Sequence, residues 1–151
     1  MDKARLAAQS RTNLNERFKD LGAVKRYTPP ARGWIKAVRE ALGMTTAQLA
    51  KRLKVKQPTV VAIEQSEAKG SIELATLRRA AEALDCTLVY AFVPNEPLET
   101  MVRERARLFS RRRRGPVEHS MLLEDQAVAG RDTEKLLDEI VRETNPRLFW
   151  D

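Results

Sequence analysis

The chain has 151 residues, enough for one compact domain with extensions and too few for two full cores. Its net charge of +7 and pI near 9.9 favour a polyanionic partner, and an aromatic content of 5% is too low for a base-stacking, single-strand-binding surface. Leu, Ala and Arg are abundant and Gly is sparse, so a mainly helical chain is expected. Cys86 is the single cysteine, which excludes an intrachain disulfide and fits a reducing compartment. The charged N-terminal stretch has no apolar signal region and no apolar run is long enough to span a membrane, so a cytoplasmic protein is expected, on the nucleoid if it binds DNA.

Residues 2–21 read as a long amphipathic helix. Leu6, Leu14, Phe18 and Leu21 form its apolar stripe, and Lys3, Arg5, Arg11, Glu16, Lys19 and Asp20 its solvent side. Residues 22–33 are a Pro- and Gly-containing linker carrying Lys25, Arg26 and Arg32, which either follow phosphates or are simply solvated. A helix follows over Trp34–Leu42, with Trp34, Ile35, Val38, Ala41 and Leu42 on a broad apolar face. The expected organisation is therefore an N-terminal helical extension over 1–22, a central domain over 33–94 and a C-terminal helical extension over 95–151.

The stretch Met44–Glu64 organises the chain. Thr45 is an N-cap, and Ala47, Leu49, Ala50 and Leu53 recur with helical spacing. The pattern breaks at Lys54-Val55-Lys56. A second helix opens on Gln57-Pro58, where the missing proline N–H costs nothing. Val60, Ile63, Leu53 and Val55 form the inner seam, leaving Gln57, Pro58, Thr59 and Ala62 outside. This is the layout of a helix-turn-helix, in which one helix braces and the next offers small and polar residues to a major groove. The plain alternative is an αα-hairpin within a helical core. A polar loop is expected after Glu64. A helix through Leu84 follows, with Leu74, Leu77, Ala80, Ala81 and Leu84 inward.

Thr87–Val93 concentrates β-branched and aromatic residues and reads as a single strand closed by Pro94. A lone strand leaves its backbone groups unpaired. The favoured reading pairs Leu88, Val89, Tyr90, Ala91 and Phe92 with the same residues of a second copy across a two-fold axis, and the alternative is a buried extended loop. Beyond Pro97 a helix carries Leu98, Met101, Val102 and Phe109 and ends in Arg111–Arg114, a solvated helix end, a phosphate-contacting tail or a face for an acidic partner. A helix is expected over Val117–Gln126, a break over Ala127–Asp132, and a last helix capped by Asp132 or Thr133 with Leu136, Leu137, Ile140 and Val141 inward. The apolar end, Arg147–Asp151, docks on its own domain or on a partner.

Catalytic signals are weak. His119 is the single histidine, Cys86 reads as a small buried residue, no Gly-rich phosphate loop is present, and Glu134, Asp138 and Glu139 sit at helix-surface spacing. No enzyme, metal or cofactor is expected.

MTTAQLAKRLKVKQPTVVAIEQSE resembles the helix-turn-helix of the phage-repressor or Xre type. The wider segments GWIKAVREALGM, ALDCTLVYAFVP, MLLEDQAV and RLFWD resemble the family called mobile mystery protein A, over almost the whole chain. The resemblance implies a mainly α, lambda-repressor-like bundle and a bacterial DNA-binding regulator, an antitoxin paired with a Fic-domain toxin. It places Gln57, Pro58 and Ala62 at bases, and Thr46, Lys56, Thr59, Gln65 and, from the loop, Lys69 near phosphates of a palindromic double-stranded operator. Thr46 stands where glutamine is frequent, and Pro58 and Ala62 stand where polar base readers often sit. Gln57 alone offers a bidentate bond, with adenine its usual partner, while Ala62 or Val61 suits a thymine methyl. The segment Ser66–Gly70 lacks the glutamate of a Fic-inhibitory motif. Restraint of a toxin would thus use the N-terminal helix or the 133–151 tail, and a protein-binding neutraliser is the rival to a repressor. A non-specific nucleoid protein is a third reading.

Overall fold

The computed structural model of the protein describes residues 2–124 and 129–151. The side chains of Arg114, His119 and Met121 to Leu123, and the backbone at Gln126 and Ala127, lie outside the described residues. Among the described residues the regular structure is helical: α1 (Lys3–Lys19), α2 (Trp34–Ala41), α3 (Thr46–Leu53), α4 (Gln57–Lys69), α5 (Leu74–Ala83), α6 (Leu98–Glu124) and α7 (Ala129–Glu143), with 3-10 turns at Val24–Tyr27 and Pro146–Phe149. No described helix is long and apolar enough to cross a membrane. Two units result, one from 1–22 with 93–151, the other from 23–92.

The central unit, 23–92, is built on a core of Ile35, Leu49, Ala50, Val60, Ala80 and Leu84, with Val38, Met44, Leu53, Val55, Ile63, Ile72 and Leu77 packed around it. Leu49 and Val60 are wholly buried, so α3 and α4 meet through their inner faces. α3 begins in a capping box: the Thr45 hydroxyl accepts from the Gln48 N–H at 3.1 Å, and the Gln48 side chain accepts from the Thr45 N–H at 2.8 Å. It ends at Lys54, in the left-handed region at φ 56, with the Val55 N–H donating to the Ala50 carbonyl at 3.0 Å. This single left-handed residue turns the chain from α3 into α4.

Three expectations are corrected in this unit, and the expected strand has no counterpart within the single chain. α4 does not stop near Glu64 but runs to Lys69, ending where Gly70 takes φ 74. The supposed polar loop is therefore helix, because Ser66, Glu67 and Ala68 place no breaker before Gly70. Trp34, Leu42 and Leu74 are exposed rather than inward, since each sits at the end of its helix. Cys86 is exposed, not buried. Among the described residues there is no β-strand: 86–94 carries no regular structure, because a ladder needs a partner segment and the single chain provides none.

The terminal unit has its own core of Val102, Ala106, Leu137 and Phe149, flanked by Phe109, Ile140 and Val141. The Phe109 and Phe149 rings meet edge to face with centroids 5.5 Å apart, so the C-terminal residues dock on their own unit. Arg103 bonds both Glu134 and Asp138, tying α6 to α7. α1 packs against both helices, but by only part of the expected stripe, Phe18 lying inward. Its inner line is Ala4, Ala7, Arg11, Asn15 and Phe18, with Leu6 and Leu14 exposed. Arg11 is buried because Glu99 accepts from its Nε at 2.7 Å. α6 continues through Gly115 and Pro116, and Asp132 lies inside α7 rather than capping it.

Candidate nucleic-acid interface

α4 has two opposed lines of residues. Val60, Ile63, Glu64 and Glu67 face the core, and Pro58, Ala62, Gln65 and Lys69 lie diametrically opposite on an exposed line. Gln57 and Val61 flank that line on one side and Thr59 on the other, all exposed. The outer face of α4 is thus small and polar at its N-terminal half. A bulky or acidic residue is absent from the line 57–62.

Thr46, at the start of α3, meets Gln57, at the start of α4. The Gln57 Nε2 donates to the Thr46 Oγ1 at 2.8 Å. A carboxamide has two N–H donors and one carbonyl acceptor. The bond to Thr46 uses one donor and leaves the other, with Oε1, available for the N7 and N6 edge of an adenine. The contact also fixes the amide's orientation, lowering the rotamer entropy lost on binding a base.

Other sequence-predicted residues are only partly brought together. Lys56 is exposed at the N-cap position of α4, beside the helix N-terminus that favours a phosphate. Lys69 closes α4 rather than extending from a loop, and lies about 18 Å along the helix from Gln57 at 1.5 Å per residue. It is therefore separated from the first turn of α4, and the exposed Gln65 lies between them.

Two anchoring contacts were not anticipated from the sequence. Arg39 and Glu64, both buried, form a bidentate ion pair between α2 and α4: Nε donates to Oε1 at 2.5 Å and Nη2 to Oε2 at 3.2 Å. The remaining Arg39 Nη1 donates to the Met44 carbonyl at 2.9 Å. The hydrogen bond to Glu64 raises the guanidinium pKa further above its ordinary value, with burial opposing it, so Arg39 stays charged. The Glu67 carboxylate caps α2 from α4, accepting from the Trp34 N–H at 2.7 Å and the Ile35 N–H at 2.9 Å. The available signal was spacing: Arg39 follows Ile35 by four residues on one stripe, and Glu64 follows Val60 likewise. Together these contacts fix α4 on α2 and leave its outer face exposed.

Comparison with protein-family models matches residues 35–90 to the helix-turn-helix family. These residues form a helix-turn-helix domain of the Xre type, the module with which DNA-binding regulators engage duplex DNA. The match lies within the central unit and does not reach the terminal one. Searches among curated proteins and among solved structures find no match.

Proposed function

We propose that the protein is a homodimeric, sequence-specific repressor of its own promoter and the antitoxin of a Fic-domain toxin, acting in the cytoplasm. The observation that carries the repressor reading is the Gln57–Thr46 bond at the head of an otherwise small, exposed α4 face. In this reading Gln57, Pro58 and Ala62 face bases, while Thr46, Lys56, Thr59, Gln65 and Lys69 serve phosphates. A net charge of +7 supports a large, salt-sensitive phosphate contribution to affinity. The dimer reading is supported by Val89, Tyr90 and Phe92, which are 77%, 66% and 89% exposed beside the half-buried Leu88 and the exposed Ala91. A soluble monomer rarely leaves three large apolar side chains so open on one short segment. The Fic partner rests on the sequence resemblance. A palindromic operator follows from two-fold symmetry.

The rival, a protein-binding neutraliser with incidental DNA contact, draws on Leu6 and Leu14, which α1 leaves exposed. Footprinting on the DNA upstream of the gene separates the two. A dimeric repressor protects two symmetric half-sites about 34 Å apart. Protection without symmetry or sequence preference, with a co-purifying partner retained in Gln57→Ala, favours the neutraliser.

A further inference from the structure

The central unit carries a concave feature that α3 and α4 do not line. It is a half-open, mainly apolar cleft of about 350 Å³ on the side bounded by the 24–27 turn, α2, α5 and residues 86–89. That volume is at the small end of the range for pockets that take small molecules. Trp34 and Leu77 supply flat and aliphatic walls, and the hydrophobic core forms the floor through Ile35 and Leu84. No acidic residue lines it. Arg26 is its charged lining residue and makes no ion pair among the described residues. The cleft therefore combines an apolar body with one uncompensated cation at the wall, the complement of a compact hydrophobic anion.

We propose that this cleft binds a small apolar carboxylate, with its ring or branched chain against Trp34 and Leu77 and its carboxylate on Arg26. Burying the apolar part removes surface that Trp34, 47% exposed, now leaves in water. The guanidinium offers a forked pair of donors matched to a carboxylate, which discriminates an acid from its amide. Neither α3 nor α4 contributes to the lining, so ligand and DNA do not compete for side chains.

The test uses the full chain with 2-naphthoate as probe and 2-naphthamide as its uncharged counterpart, read by calorimetry. A second readout is alkylation of Cys86, the single thiol, which also lines the cleft and is exposed. The account predicts saturable one-to-one binding of the acid and slower alkylation by N-ethylmaleimide when it is bound. Arg26→Gln, on an exposed residue, weakens the acid about tenfold, the scale of one charge-assisted hydrogen bond, and leaves the amide unchanged. Ala81→Phe, with an unchanged melting temperature, fills the cleft and abolishes both effects. Gln57→Ala binds the acid as the wild type does, whatever its DNA affinity, which separates this site from the repressor reading. Absence of saturable binding, equal affinity for acid and amide, or indifference to Arg26→Gln overturns the proposal.

Discussion

Gln57 and Thr46 stand eleven residues apart and are joined by one hydrogen bond of 2.8 Å across the turn between α3 and α4. The bond links the first residue of α3 to the first residue of α4, so the orientation of the Gln57 side chain is set within the folded chain itself. Replacing Thr46 by valine keeps the shape and removes the acceptor. Thr46→Val is expected to weaken binding to the protein's own upstream DNA by about three- to tenfold, the worth of one neutral hydrogen bond. Binding to random DNA should fall less, by the phosphate contact of Thr46 alone. Fluorescence anisotropy with both DNAs checks this, and an equal loss on both would mean that Thr46 acts on phosphates alone.

The Arg39–Glu64 pair sets the position of α4 on α2. Removing one partner leaves a buried charge, and Arg39→Met is expected to destabilise the domain by about 3 kcal/mol or more. Arg39→Met combined with Glu64→Met should recover most of that loss, because the desolvation of both charges is removed together. Urea unfolding of the two single variants and the double variant closes the cycle. Additive losses would show that the two side chains are not coupled.

Gly33 is held at φ 87 and ψ 164, a region that only glycine enters freely, and a Cβ there would lie 2.6 Å from the Glu67 carboxylate. Gly33→Ala must strain the backbone and push away the group that caps α2. A loss of about 2 kcal/mol or more is expected, seen as a lower urea midpoint at an unchanged slope. A variant as stable as the wild type would show that the Glu67 cap contributes little.

Phe92 is 89% exposed and can be changed without touching the core. Phe92→Asp places a charge on the surface proposed to pair between copies. Sedimentation should give a dimer for the wild type and a monomer for the variant, with the same helical content. A variant that remains dimeric assigns the interface elsewhere.

The helix-turn-helix was legible because local chemistry dictates it. Thr45 and Gln48 cap reciprocally, Pro58 starts α4 where its ring is harmless, and Leu49, Val60 and Ile63 keep the helical period. What escaped depends on residues distant in sequence. Arg11 looks solvated until Glu99 is brought beside it, and the Glu67 carboxylate looks like loop surface until α2 presents its free N–H groups. The 86–94 segment shows the limit of composition: β-rich residues form a strand only when another segment completes the ladder. Of the proposed DNA contacts, Gln57 and Thr46 are joined, whereas Lys69 lies at the end of α4 and not in a loop, because α4 is a turn longer than its apolar pattern suggested.

The most direct test of the central claim is competition binding on the DNA upstream of the gene, with random DNA as competitor, for the wild type and Gln57→Ala. Tight binding that random DNA does not displace is expected, with loss of that preference in Gln57→Ala and non-specific affinity retained. Equal displacement by random DNA in the wild type, or a preference that survives Gln57→Ala, would contradict sequence reading by the head of α4.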